Sequence, residues 1–251
     1  MESTPILEAH GLSKQFGAIQ ALEAVDFEVY AGEVVGLVGD NGAGKSTLVK
    51  IISGVYQSET GNILFEGRPV TITKPRDSTD LGIETVYQDL ALCDNLDVVA
   101  NLFIGREQTK TNQRFSHRLN WLDEVRMEKK AIELLDELHV SLPSVRNLIA
   151  SMSGGQRQSV AVARSVLWDC KVVILDEPTA ALGVEQTRQV KKLIAKLKER
   201  NLGVVLISHN LQEIVDITDR IIVLRLGRRA ATFNTKATRP EQIVAAITGV
   251  G

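Results

Sequence analysis

The 251 residues carry 29 basic and 31 acidic side chains, for a formal charge of −2, with 44% hydrophobic and 24% charged residues. That is the make-up of a globular chain able to bury one large core, and it argues against a protein that grips nucleic acid mainly by charge. No apolar run approaches a membrane span, residues 1–5 lack the order of a signal peptide, and Cys93 and Cys170 form no Cys-x-x-Cys pair, so a cytoplasmic protein is expected, with any membrane contact made through a partner.

In chain order, residues 6–16 and 25–30 read as strands. Val25, Phe27 and Val29 alternate with Asp26 and Glu28, which gives one buried and one wet face. Ala31-Gly32-Glu33 is a turn signal and predicts a hairpin between the runs that flank it. Val34–Val38 is apolar on both faces, as a central parallel strand should be. A glycine-rich stretch follows, then Leu48, Val49, Ile51 and Ile52 at helical spacing, with Gly54 as the stop. Residues 63–65 form a short strand before the turn Glu66-Gly67, and residues 83–87 form another that ends at Gln88.

From about 90 to 150 the pattern turns helical. Asp94 or Asn95 is the expected cap of a helix through Val98, Val99 and Leu102. Residues 121–138 repeat Leu122, Val125, Ile132, Leu135 and Leu138 as an inward face, and the polar residues 109–118 read as a loop. Beyond Ser153 a helix is expected over 156–168, with Val160, Ala163 and Leu167 inward. A buried strand over 172–175, a lysine-rich helix over 185–199, a strand over 204–207, a helix over 211–217 and a strand over 221–224 follow. Thr238 and Glu241 have capping-box spacing at the start of a last helix. Strands alternating with helices imply a parallel sheet with its ligand at the carboxyl edge.

Three stretches carry chemistry. Gly39-Asp40-Asn41-Gly42-Ala43-Gly44-Lys45-Ser46-Thr47 joins a buried strand to a helix, the context of a phosphate-binding loop. Its glycines let backbone N–H groups turn inward on a polyphosphate, and the helix adds the positive end of its dipole. Lys45 is placed to reach the β/γ-phosphates and the Ser46 hydroxyl to hold Mg²⁺. Residues 172–175 run into Asp176-Glu177, where Asp176 would hold the ion through water and Glu177 would polarise an attacking water. A plain strand-end turn before Pro178 is the alternative. Ser153-Gly154-Gly155-Gln156 opens a helix as a second anion site, or as an ordinary N-cap. Two phosphate-binding helix ends in one chain suggest that the second serves another subunit's nucleotide.

The ordered set of phosphate loop, Gln88, Ser-Gly-Gly-Gln, Asp176-Glu177 and His209 resembles the ATP-binding cassette ATPases over nearly the whole chain. The resemblance implies an α/β fold: a P-loop NTPase (RecA-like) core with an N-terminal antiparallel β part and an inserted α-helical part. The whole chain, 1–251, is then one nucleotide-binding domain. Its core spans 1–89 and 158–251, and a helical insert over 90–157 ends in the signature motif. ATP and Mg²⁺ are the implied cofactors. Gly39, Asn41, Gly42, Ala43, Gly44, Lys45, Ser46 and Thr47 would cradle the phosphates, and Phe16 would stack on adenine. Ser46, Gln88 and Asp176 would serve the metal, with Glu177, His209, Gln88 and Lys45 as the catalytic set. Ser153, Gly154, Gly155 and Gln156 would complete the site of a second copy in a head-to-tail, ATP-sandwiching homodimer. Phe16 as core, Gln88 as a strand-end polar residue and His209 as a structural histidine are the competing readings. His10, His117 and His139 have no motif around them.

Two departures stand out: Met152 where the signature commonly opens with leucine, and Gly183 where Ser-Ala-Leu-Asp usually ends in aspartate. Methionine is a near match in volume. The missing carboxylate bears on signalling between paired sites. The segments around Gly39, Gly155 and Glu177 are similar to cassettes of monosaccharide importers of the ribose, xylose and fructose types. That similarity implies permease subunits as partners, indirectly a solute-binding protein, and a location on the inner face of the membrane. No nucleic acid is expected. An exporter ATPase and a clamp on nucleic acid or the ribosome are the alternatives, and the chain lacks the Asn-Lys-x-Asp of a GTPase.

Overall fold

The computed structural model describes residues 4–110 and 121–250. The expectations for residues 1–3, His117 and all of the polar loop beyond residue 110 lie outside the described residues.

Two sheets organise the chain. The first is antiparallel, in the order β2-β1-β4-β5, from β1 (Leu7–Phe16), β2 (Ile19–Val29), β4 (Thr60–Phe65) and β5 (Arg68–Val70). The second takes the order β10-β9-β3-β8-β7-β6, from β3 (Val34–Val38), β6 (Ile83–Val86), β7 (Val172–Asp176), β8 (Gly203–Ile207), β9 (Arg220–Arg225) and β10 (Arg228–Asn234). Within it β9, β3, β8, β7 and β6 run parallel, and β10 closes the edge antiparallel to β9.

The apolar-on-both-faces reading of β3 has a direct structural cause. Val34 and Val38 enter one hydrophobic core while Val35 and Leu37 enter the other. Strand β7 splits likewise, with Val173 and Leu175 on one side and Val172 and Ile174 on the other. One core lies between the two sheets and includes α1 (Lys45–Ile52). The other lies under α3 (Val98–Phe103), α4 (Glu124–Glu137), α5 (Gly154–Val166) and α6 (Val184–Glu199), which bear on the sheet's opposite face. The remaining helices are α2 (Pro75–Asp80), α7 (Leu211–Ile217) and α8 (Pro240–Thr248).

Several local expectations are corrected. The hairpin is β1–β2, turning at Gly17, and not a pairing of β2 with β3 across Ala31-Gly32-Glu33. A strand apolar on both faces has to sit between two parallel neighbours, and β3 pairs with β8 and β9. The cap of α3 is Asp97, whose carboxylate accepts the Ala100 N–H at 2.7 Å, and not Asp94 or Asn95. On α4 the buried face is Met127, Ala131, Leu134 and Leu135, with Leu138 just beyond; Leu122, Val125 and Ile132 are exposed. Both stripes have helical spacing, and the one that fits against α3 is buried. The box that opens α8 uses Gln242, which accepts the Arg239 N–H, while the Thr238 hydroxyl donates back to the Asn234 carbonyl. Strands β5 and β10 and helix α2 are additions to the elements expected from sequence.

Candidate active site

Four neighbouring parallel strands deliver the expected residues to one edge. Strand β3 ends in the glycine loop, β8 leads to Ser208 and His209, β7 ends at Asp176 and Glu177, and β6 leads to Gln88. Because these strands are adjacent and parallel, their carboxyl ends share one crevice.

The loop from Gly39 to Gly44 is built on glycine for steric reasons. Gly39 (φ +151°), Gly42 (φ +81°) and Gly44 (φ +105°) take conformations that favour glycine. At Gly39 a Cβ would lie 2.2 Å from the Leu224 carbonyl oxygen, and at Gly44 it would lie 2.7 Å from the Ala21 carbonyl oxygen. The loop is anchored at Ala43, whose N–H donates to the Asp40 carbonyl and whose own carbonyl accepts the Gly227 N–H, both at 3.1 Å. Helix α1 starts at Lys45 with no side-chain cap, and the first N–H groups of a helix have no intrahelical partner. The Lys45 ammonium folds back over the loop, donating to the carbonyls of Gly39 at 2.7 Å and Asp40 at 3.0 Å. Burial lowers its pKa, against the pull of Glu177, Asp40 and Asp176. Asn41, Ser46 and Gly42 are exposed, and Thr47 is half-buried.

Asp176 ends β7 in register with Ile207 of β8. Burial pushes its carboxyl above the usual carboxylate range, opposed by Lys45 and Lys50. Glu177 adopts φ +52°, a left-handed conformation rare for a non-glycine residue. Its N–H donates to the Ile207 carbonyl at 2.9 Å, and its carbonyl accepts the Ala180 N–H at 3.1 Å. That turn points its carboxylate at His209, Oε2 to Nδ1 2.7 Å. The Glu177 side chain is 17% exposed and that of His209 is 80% exposed, so the pair opens to solvent on the histidine side. Residues 38–41 of the loop, Ser208, His209, Leu211 and the end of α8 enclose an adjoining groove of about 590 Å³.

Ser153 caps α5. Its hydroxyl accepts the Gln156 N–H at 3.3 Å, and the Gln156 side chain accepts the Ser153 N–H at 3.0 Å, a capping box. The N-cap reading of this motif therefore holds as geometry, and the exposed Ser153 and Gly154 leave the helix end open to a ligand. Gly155 is buried where α5 meets α6, since a Cβ there would lie 2.9 Å from Gln186 Cβ. Phe16, at the end of β1, is 41% exposed and packs edge-on against Tyr56 with ring centroids 5.2 Å apart. It is a surface aromatic and not a core one. Tyr56 was not singled out from sequence, although its place just after the Gly54 helix stop is a usable signal. Gln88 is exposed just beyond β6.

The expected metal donors are the Ser46 hydroxyl, the Gln88 amide oxygen and the Asp176 carboxylate. Oxygen-only donors suit Mg²⁺, which keeps water and phosphate oxygens as its other ligands. Among the described residues no group of three or more His, Cys, Asp or Glu side chains forms a ready-made cage. A cation here would also offset the burial that raises Asp176.

Cys170 lies apart from this chemistry. Burial pushes its thiol up to about 12, so it behaves as an inert core group.

A family model described as "ABC transporter" matches residues 22–180. The fructose import ATP-binding protein FrcA of Rhizobium meliloti is 44% identical over 99% of this chain and 96% of its own length. The xylose/arabinose import ATP-binding protein XylG of Sulfolobus acidocaldarius is 43% identical over 97% of this chain and 94% of its own. Among solved structures, the ADP conformation of MJ1267, an ATP-binding cassette of an ABC transporter, superposes with a TM-score of 0.82. It is 25% identical and covers 99% of this chain and 96% of that one.

Proposed function

The chain belongs to the ABC transporter family, and from that premise we propose that it is the ATP-hydrolysing subunit of an importer for a monosaccharide. The observation that carries the reading is the Glu177–His209 contact of 2.7 Å at the same sheet edge as the phosphate loop. A carboxylate with a histidine beside it, next to a polyphosphate cradle, is suited to orienting a water for in-line attack on a terminal phosphate.

In this reading the backbone N–H groups of 39–47 hold the phosphates, and Lys45 exchanges its carbonyl partners for phosphate oxygens. Ser46, Gln88 and Asp176 would hold Mg²⁺, which would supply charge neutralisation at the phosphates. Glu177 accepts the proton of the attacking water, and His209 orients Glu177 and contacts the γ-phosphate. Phe16 offers its open face to adenine. Catalysis is positioning plus charge neutralisation, the usual division of labour in phosphoryl transfer.

The open end of α5 supports a site completed by a second copy, arranged head to tail. In this reading ATP closes the pair and hydrolysis reopens it, and the helical insert expected over 90–157 would pass that motion to permease subunits, which would take solute from a solute-binding protein. A peripheral place on the cytoplasmic face fits this role; among the described residues no helix is long and apolar enough to cross a membrane.

Two measurements test the proposal. Specific ATPase activity of the isolated chain should rise with protein concentration, since half of each site comes from another copy. Turnover by a verified monomer, independent of concentration, would overturn the shared site. The chain reconstituted with its permease in vesicles should take up a pentose or hexose in an ATP-dependent way. ATPase activity stimulated instead by DNA or ribosomes would replace the importer with a clamp.

A further inference from the structure

We infer that Glu213, outside every motif described above, is a positioning residue for hydrolysis: it locks the Glu177 turn to the His209 turn from behind. This inference rests on the proposed roles of Glu177 and His209.

The geometry is a second tie parallel to the first. The Thr179 hydroxyl donates to Glu213 Oε2 at 2.5 Å. The same oxygen faces the Ser208 hydroxyl at 3.5 Å, the long limit for such a bond. Ser208 Oγ in turn accepts the Asn210 N–H at 3.0 Å. Thr179 lies two residues past Glu177, while Ser208 and Asn210 flank His209. One carboxylate on α7 therefore spans the two segments that carry the catalytic pair.

Both hydroxyls are buried, Thr179 at 8% and Ser208 at 3% exposure. They depend on protein partners, because water cannot replace Glu213 there without rearrangement. The Glu177 turn needs such a lock. Glu177 and Ala181 both take left-handed φ angles, +52° and +59°, which non-glycine residues hold only when surrounding contacts enforce them. The His209 side chain is 80% exposed, so burial does little to fix it. Its backbone is held instead by Ser208 on one side and by the α7 cap on the other, where Asn210 Oδ1 accepts the Gln212 and Glu213 N–H groups at 3.1 and 3.4 Å.

The purified protein is compared as wild type, E213A, E213Q and T179V, at a concentration where specific activity has levelled off. Thermal melts and fluorescent-ATP binding serve as controls on folding. E213A should lower kcat at least about tenfold with the ATP KM within about twofold, since a displaced base costs rate and not ground-state binding. E213Q keeps an acceptor for Thr179 and should recover most of the loss. T179V, close to threonine in shape, should reproduce the E213A defect, and the double variant should be no slower than E213A alone. The inference is overturned by wild-type kcat in E213A, by kcat and binding falling together, or by an E213Q no better than E213A. If E213A does not fold, T179V decides: wild-type kcat sinks the idea and a tenfold loss supports it. E177Q runs in parallel. Wild-type turnover there would fail the site reading itself, whereas an inactive E177Q beside a fully active E213A fails only this inference.

Discussion

Glu177 Oε2 lies 2.7 Å from Nδ1 of His209, between residues 32 positions apart that end adjacent parallel strands. Nothing local holds this pair together. It exists because β7 and β8 run side by side and Asp176 pairs in register with Ile207. Substituting either partner should slow the chemistry without removing the nucleotide. Glu177→Gln is expected to lower kcat by about 10² to 10⁴, the range for a lost general base, with ATP binding intact. His209→Ala should lower kcat too, and the double variant should be no slower than Glu177→Gln. Steady-state kinetics beside equilibrium ATP binding checks this, and additive losses would show that the two residues act independently.

Lys45 reaches the carbonyls of Gly39 and Asp40, and among the described residues it makes no direct bond to a carboxylate. Lys45→Ala should therefore leave the fold intact and weaken ATP binding more than about tenfold, because the loop's charged contact to phosphate is gone. Circular dichroism with a fluorescent-nucleotide titration separates the two. Unchanged affinity would remove Lys45 from the phosphate site.

Asp176 is a carboxylate whose pKa burial raises. A raised acid pKa means that ionisation is harder in the folded state than in the unfolded one. The charge thus costs stability above the unfolded pKa, and the cost disappears as pH falls below it. Asp176→Asn should raise the melting temperature of the nucleotide-free protein at pH 7 and lose that advantage as pH falls toward about 4. The same variant should abolish Mg²⁺-dependent hydrolysis. A lower melting temperature at pH 7 would mean that the attraction of Lys45 and Lys50 outweighs burial.

The glycines divide by mechanism. Gly155→Ala meets Gln186 Cβ at 2.9 Å and Cγ at 3.0 Å, atoms close to the backbone of α6 that cannot easily move. It should cost about 1–3 kcal/mol and lower the melting temperature by roughly 2–12 °C. Gly42→Ala meets no atom within 4 Å, but its φ is +81°. It should cost about 1–2 kcal/mol through the backbone alone and weaken ATP binding, since the N–H cradle shifts. Melts paired with nucleotide titrations distinguish the two. Equal loss of binding in both variants would contradict this division.

Much of the architecture was legible because it is written in periodicity. The unbroken apolar runs of β3, β7 and β8 meant burial on both faces, and the two cores that share their alternate residues are the reason. The phosphate loop was legible for a different reason. Gly39 and Gly44 sit where a Cβ would lie 2.2 and 2.7 Å from backbone oxygens, and Gly42 takes φ +81°, so the composition itself marks the turn. The inward face of α4 was legible only in part: Leu135 and Leu138 are buried as expected, whereas Leu122, Val125 and Ile132 are exposed. Two apolar stripes share that helix, and only the packing of α3 selects Met127, Ala131 and Leu134 over Val125 and Ile132. The β1–β2 hairpin was misplaced because a turn signal at Gly32 says that the chain bends, not which strand it bends to join.

The sequence by itself determined most element types and the glycine loop, since each depends on local spacing and side-chain character, and it nominated the residues proposed to carry the chemistry. Tertiary structure decided which of those residues meet. The register of β7 against β8 brings Glu177 to His209, and the packing of α7 behind them brings Glu213 to Thr179. Those distances follow from strand order and helix docking, which summed long-range burial selects and no short stretch of sequence encodes.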